Sequence, residues 1–206
     1  MKSKNESGRS MIEMLGVLAI IGVLSAGALA GYSKAMFKHK VNQTIDIFQG
    51  VLQRLIELDG ANFDENSYIV DADDIVKYHI LENCQKVDGV AGLGDYGCKL
   101  PIGILEMDYG YVNKGYLAGA IVMSFTDAKS CIAFTSAGWE YAIPIEWFRN
   151  VGHGNSGHIS ISGATSGMIY DPNGDQPITK VSMSTIIQAC NEDCEDGMCQ
   201  LWIETY

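Results

Sequence analysis

One carboxylate, Glu13, lies inside a long apolar stretch near the start of the chain. From Met11 to Tyr32 there are 22 residues, and Glu13 is the single charge among them. A carboxylate at the centre of a membrane costs about 2.5–3.5 kcal/mol, and less near the interface, so a charge there usually marks a function or a partner. In a second interpretation, Glu13 reaches the headgroups close to Arg9, four residues earlier. The residue types alone leave both interpretations open.

Six cysteines form the second group of residues with chemistry, and none of them lies in the apolar stretch. An even number of cysteines in an exported domain indicates disulfides made in an oxidising compartment. Six cysteines allow 15 pairings, and sequence alone does not choose among them. They are Cys84, Cys98, Cys131, Cys190, Cys194 and Cys199.

A zinc site is the alternative use of the last three cysteines. Cys190, Cys194 and Cys199, with His153 or His158, would supply four ligands. Their spacing lacks a matching second cluster, so disulfides are the preferred interpretation and no metal or other cofactor is expected. The chain has no nucleophile elbow, phosphate loop, zinc-protease or dinucleotide motif, and we expect no enzymatic activity.

The apolar stretch must position Glu13, and its length fits a membrane. As an α-helix, Met11–Tyr32 would span roughly 33 Å, which matches a hydrocarbon core of about 30 Å. A secretory signal peptide fits poorly, because the run is too long and continues into helix-compatible sequence. Composition alone does not exclude an ordinary single-pass anchor.

Charge is divided unevenly along the chain, whose formal net charge is −11. Residues 1–40 hold six of the 14 Lys and Arg and two of the 25 Asp and Glu, which leaves eight bases against 23 acids from Val41 onward. A general nucleic-acid binder depends on basic residues, so no nucleic-acid partner is expected. The pattern is typical of a membrane segment that carries an acidic extracytoplasmic domain.

Basic residues flank the apolar span on both sides, so the positive-inside rule does not fix its orientation. Because disulfides form outside the cytoplasm, the cysteines favour a cytoplasmic N-terminus and an exported body. The flanking bases are Lys2, Lys4 and Arg9 before the span and Lys34, Lys38 and Lys40 after it.

An amphipathic stripe follows the span, since apolar residues recur at helical spacing with no proline between Ser33 and Asp59. Gly60 is a suitable C-terminal stop. The simplest interpretation is one helix from about Arg9 to Asp59, and a coiled-coil or dimerisation stripe is the alternative. The stripe residues are Val41, Ile45, Phe48, Leu52, Leu55 and Leu58.

The remainder of the chain is typical of an α+β domain. Thr126-Asp127 offers an N-cap for a helix over Ala128–Ala137, and Ser182 or Ser184 would cap a helix within Thr179–Cys190. The predicted strands are Ala118–Phe125, Gly157–Ser162, Gly167–Tyr170 and Leu201–Tyr206.

The segment Gly8-Arg9-Ser10-Met11-Ile12-Glu13, followed by an unbroken apolar helix, resembles the N-terminus of type IV prepilins. In that family a basic leader ends in Gly, a prepilin peptidase cleaves after it, and the fifth mature residue is Glu. The resemblance implies cleavage after Gly8, methylation of the new N-terminus at Arg9, and a role for Glu13 in filament assembly. The family commonly has Phe, Met or Leu at the first mature position, where this chain has Arg9.

The resemblance implies a long N-terminal helix packed on a disulfide-stapled antiparallel β-sheet head, in the element order of type IVb pilins. It also implies the pair Cys131–Cys190, as in pilin C-terminal regions. The pairs Cys84–Cys98 and Cys194–Cys199 are preferred beside it because they close short local loops. The implied domains are a leader (1–8), a transmembrane and assembly half-helix (9–35), an amphipathic half-helix (36–59) and a globular head (60–206).

The function implied by this resemblance is a structural one, in which the chain is the subunit of a homopolymeric type IV pilus filament. Its partners would be prepilin peptidase, the inner-membrane assembly machinery and, before assembly, membrane lipid. The subunit would sit in the inner membrane as a single-pass protein with a periplasmic head, and then in an extracellular pilus. A minor pilin or type II secretion pseudopilin is the nearest alternative. A membrane-anchored periplasmic enzyme or binding protein is the alternative of another class.

Overall fold

A computed structural model describes residues 9–60, 68–112, 116–137, 157–161, 183–194 and 198–205. The chain divides into two units, Met1–Lys40 and Val41–Tyr206. The first helix, α1, covers Arg9–Gly60 and so contributes to both units.

The first unit consists of the N-terminal part of α1. Leu, Met and Ala are strong helix formers, and no proline interrupts the run. Among the described residues, α1 is the one helix long and apolar enough to cross a membrane. None of its most apolar window is buried among the described residues.

The second unit is built on an antiparallel sheet, which has seven strands within the described residues. Six of the strands, numbered in chain order, are hydrogen-bonded in the order β2-β3-β4-β5-β7-β6. The short strand β1 pairs with β4 in addition. The strands are β1 (Tyr68–Ile69), β2 (Gln85–Asp88), β3 (Tyr96–Leu100), β4 (Gly103–Val112), β5 (Tyr116–Phe125), β6 (Gly157–Ile161) and β7 (Cys199–Thr205).

Within the part of the chain that the structure describes, three further helices lie between these strands. Asp127 caps α3, since its Oδ1 accepts a hydrogen bond from the Ser130 backbone N–H at 2.8 Å. This confirms the cap predicted there, which satisfies one of the helix's unpaired first-turn N–H groups. The helices are α2 (Ala72–Lys77), α3 (Ala128–Thr135) and α4 (Met183–Asp193).

One face of the sheet supplies most of the hydrophobic core, because alternate residues of a strand share a face. On β4 the buried core residues are Leu105, Met107 and Tyr109. The aromatic rings of Phe48 on α1 and Phe134 on α3 meet edge to face, with centroids 5.3 Å apart. This contact joins α1 to α3, and the Phe134 ring also lies 5.4 Å from that of Phe125 on β5.

The C-terminal part of α1 that belongs to the second unit, residues 41–60, is here called the head half of α1. It packs into this core, so the coiled-coil interpretation of its stripe is wrong. Phe48, Leu52 and Leu55 of the predicted stripe are buried, and Val51 and Thr44 are buried with them. A residue buried inside its own subunit leaves no surface for a second helix.

The predicted class is confirmed, since the chain combines a long apolar N-terminal helix, an antiparallel sheet and disulfides in an α+β arrangement. Four strands, β1 to β4, come before the first strand predicted from sequence. Ser184 lies inside α4, which begins at Met183, and therefore does not cap it. Ser182 and the predicted strand Gly167–Tyr170 lie outside the described residues.

Candidate functional site

The apolar part of α1 presents its side chains outward all around the helix. Glu13, the fifth residue of α1, is exposed. Leu15, Leu18, Leu24 and Leu29 are each more than 60% exposed. A continuous apolar surface of this size marks contact with a membrane or with other protein chains.

The predicted cleavage site is the bond between Gly8 and Arg9, and Arg9 is the first described residue. Arg9 begins α1, whereas Gly8 lies outside the described residues. If the chain is cut after Gly8, the new α-amino group stands at the start of this helix, four residues before Glu13. Successive turns of an α-helix bring residues i and i+4 to the same side, about 6 Å apart along the axis.

All six cysteines form disulfides, in the three predicted pairs. Cys84 joins Cys98, Cys131 joins Cys190 and Cys194 joins Cys199, with Cα–Cα distances of 5.0, 5.8 and 4.6 Å. The second pair is fully buried and links α3 to α4.

This pairing makes the zinc alternative wrong, because no cysteine remains as a thiolate ligand. Within the described residues, no group of three His, Cys, Asp or Glu side chains could hold a metal ion. Of the two histidines proposed as ligands, His158 lies on β6, and His153 lies outside the described residues.

Glu106 is a buried carboxylate that the sequence interpretation missed. It lies on the face of β4 opposite the core and is 1% exposed. Its Oε1 accepts hydrogen bonds from the backbone N–H groups of Val90 and Ala91, both at 2.9 Å. Its Oε2 accepts a second bond from Ala91 at 3.0 Å. The carboxylate therefore fastens the loop between β2 and β3 onto the sheet.

Glycines let this loop pack closely against itself and against the backbone of Val70. A Cβ at Gly94 would collide with the carbonyl oxygen of Val70, and a Cβ at Gly89 would collide with the carbonyl oxygen of Gly94. The contact between Glu106 and this loop is here called the Glu106 clasp. Two sequence features could have indicated it: the glycine-rich run before β3 and a carboxylate at a strand position in β4.

An open groove of about 540 Å³ runs between the head half of α1 and residues 79–82. Asp46 and Arg54 line it from the helix, and His79 and Glu82 line it from the opposite side. His79 has a φ of 54°, a conformation that few non-glycine residues adopt. None of the described residues that line the groove is a serine, threonine or cysteine.

Compared with known protein families, with curated proteins and with solved structures, the chain matches none of them. Its function is therefore argued from its own residues.

Proposed function

We propose that the chain is the structural subunit of a type IV pilus-like filament, assembled through its N-terminal helix after cleavage at Gly8. The observation that carries the proposal is the spacing of Gly8 and Glu13 immediately before an apolar helix with exposed side chains. An anchor needs the apolar residues alone. Neither a carboxylate at the fifth position nor a glycine five residues before it serves simple tethering.

Glu13 would act as a register device between neighbouring subunits. An α-amino group is largely protonated at neutral pH, so the freed terminus of Arg9 would offer a cation to Glu13 of an adjacent copy. Each ion left unpaired in an apolar filament core costs several kcal/mol. Wrong staggers would therefore be penalised far more than the correct one is rewarded.

Assembly itself would be driven by the apolar surface of α1. Once the span leaves the bilayer, burial against like spans removes that surface from water. Copies related head to tail by a rotation that does not close produce an open helical fibre. The acidic heads would then form the outside of the fibre, and the buried disulfide between α3 and α4 would hold each head folded outside the cell.

The first test is the N-terminal sequence of the mature chain purified from membranes. We expect it to begin at Arg9, with a mass lower than that of the full chain by the eight-residue leader. A mature protein that still begins at Met1 would contradict the proposal, because its Glu13 would have no free terminus to pair with.

The second test replaces the carboxylate. Glu13→Val should leave membrane insertion intact, because it makes the span more apolar, and should abolish filaments seen by electron microscopy of sheared cells. Glu57→Val is the matched control, since Glu57 is an exposed carboxylate on the head half of α1, paired with Arg54 at 2.7 Å. Normal filaments from the Glu13→Val variant would refute the register role.

A further inference from the structure

We infer that Lys34, Lys38 and Lys40, here called the lysine collar, bind the phosphate groups of anionic phospholipids on the head side of the membrane. The inference rests on the proposed function to the extent that it places the apolar span in a bilayer before assembly. It adds a lipid class to that function. All three lysines are exposed.

The axial position of the collar coincides with the headgroup layer. The apolar stretch ends at Tyr32, whose amphipathic ring suits the membrane interface and is exposed. Lys34 and Lys40 follow about 3 Å and 12 Å farther along the axis. The headgroup layer of one leaflet is about 5–8 Å thick. The collar therefore begins inside that layer and ends just beyond it.

Helix geometry directs these side chains back toward the membrane. Every Cα–Cβ bond in an α-helix tilts toward the N-terminus, and long side chains cover the preceding turn. Here the N-terminal direction is the direction of the apolar span. Lys38 and Lys40 can thus lower their ammonium groups into the headgroup layer while their methylene stems lie along the helix.

The distribution of the lysines around the helix favours lipid over a neighbouring protein. At about 100° per residue, Lys34 and Lys38 lie roughly 40° apart, and Lys40 lies roughly 160° from Lys38 on the opposite side. A layer of headgroups surrounds a helix on all sides and can satisfy all three. A single neighbouring chain contacts one side only.

Charge along the chain makes the collar a distinct cationic zone. No acidic residue occurs between Glu13 and Asp46, so the sequence around the collar carries only positive charge. From Val41 onward acids outnumber bases by 23 to eight. Anionic headgroups would supply the opposite charge on the membrane side, and the acidic head would be repelled from the same surface.

The collar would therefore regulate how readily the subunit leaves the bilayer. A basic residue close to an anionic surface changes the binding equilibrium by about five-fold, so three of them change it by on the order of a hundred-fold. Anionic lipid would hold subunits in the membrane, and the assembly machinery would act against that attraction.

The test measures lipid selectivity around the full-length, uncleaved chain reconstituted in phosphatidylcholine vesicles with a minor fraction of phosphatidylglycerol. Electron spin resonance with chain-labelled phosphatidylglycerol or phosphatidylcholine gives the fraction of each lipid that is immobilised at the protein. We expect about two-fold or greater preference for phosphatidylglycerol, reduced by high salt.

The decisive variant changes Lys34, Lys38 and Lys40 to Gln together, and it should lose most of this preference. The bases before the span stay in place, so the difference from the wild type reports the collar alone. Changing the same three residues to Arg should restore the preference, because the charge returns. The matched control changes Lys77, Lys99 and Lys129 to Gln, which removes equal charge from exposed head positions.

Equal selectivity in the wild type and the collar variant would overturn the inference. If the collar variant keeps its lipid preference but fails to self-associate, the collar contacts the acidic head of a second copy instead, which also overturns it. Neither result bears on cleavage at Gly8 or on the Glu13→Val filaments, so failure here is distinguishable from failure of the proposed function.

Discussion

The two halves of α1 both contain leucines, but they place them in opposite environments. Leu24, in the apolar half, is 66% exposed, whereas Leu55, in the head half, is fully buried. The same residue type in the same helix therefore contributes to two different processes. Burial of Leu55 stabilises the folded head, and the surface around Leu24 is left for a bilayer or for other copies of the chain.

This difference shows which contacts stabilise each half of α1. The head has internal partners, including the Phe48–Phe134 ring contact and a buried disulfide between α3 and α4. The core that the described residues of the second unit form is built from side chains of the chain itself. A change to one half should consequently alter folding or assembly, but not both, and the predictions below test that separation.

The largest expected effect comes from removing the Cys131–Cys190 disulfide by changing both residues to Ser. The bond closes a loop with a sequence separation of 59, and the chain-entropy relation assigns it about 4 kcal/mol. The same change at Cys194 and Cys199, with a separation of five, should cost about 2 kcal/mol. Urea unfolding of the head under non-reducing conditions gives both values.

Membrane insertion should be unchanged in both disulfide variants, because the apolar span contains no cysteine. A double Ser variant at residues 131 and 190 as stable as the wild type would show that the α3–α4 contact holds without the bond. Alkylation of the unfolded wild type without reductant should detect no free thiol.

The second prediction compares one substitution in the two halves of α1. Leu55→Ala should destabilise the head by about 2–5 kcal/mol, since it removes buried methyl groups and leaves a cavity. Leu24→Ala should leave the urea midpoint of the head unchanged and instead weaken filament assembly. Equal losses of head stability in the two variants would contradict the separation of head folding from assembly.

The sequence indicated the helices better than the sheet. Helical periodicity over Val41–Leu58 identified α1 because each apolar residue lies about one turn from the next. For β4, the alternation of Leu105, Met107 and Tyr109 with acidic residues is also a period-two signal. The buried residue of that polar set, Glu106, is covered by a loop distant in sequence, and periodicity within one strand carries no information on such a contact.

Local sequence was more informative for the candidate assembly site than for the Glu106 contact. Gly8, Arg9 and Glu13 were named from the resemblance to prepilins, which lies within six adjacent residues, and their roles stay a prediction. The clasp at Glu106 depends on residues 89–95 folding back over the sheet. Tertiary contacts of this kind follow from the register of β3 with β4, in which Cys98 pairs with Leu105. Local patterns do not set that register.

A smaller effect is expected from breaking the Glu106 clasp. Glu106→Ala leaves the backbone N–H groups of Val90 and Ala91 without their acceptor, which should cost about 1–3 kcal/mol. Hydrogen exchange at these two amides should accelerate more than exchange in β5. Asp108→Ala is the matched control, since it removes an exposed carboxylate from the same strand. Unchanged exchange at Val90 and Ala91 would contradict the clasp.

The smallest effect concerns the surface pair of Lys86 and Asp73. Lys86 Nζ donates a hydrogen bond to Asp73 Oδ2 at 2.6 Å and lies 3.8 Å from the centroid of the Tyr96 ring. The hydrogen bond to Asp73 is the largest cause of a raised pKa at Lys86. Desolvation opposes it, and attraction to the Asp73 and Asp71 carboxylates adds to the upward shift. Since the folded head favours the charged lysine, the pair contributes to stability only while Lys86 is protonated.

The sign of its pH dependence follows from that raised pKa. The contribution should be complete below the ordinary lysine pKa of 10.5 and should disappear as pH rises through the higher value in the folded head. The difference in urea midpoint between the wild type and Lys86→Gln should thus be constant from neutral pH to mildly alkaline pH and shrink above it. Asp73→Asn should give the same profile, and the double variant should add nothing further, because both changes remove one interaction. A difference that stays constant as pH rises through this range would show that Lys86 stabilises the head through its packing on Tyr96 rather than through its charge.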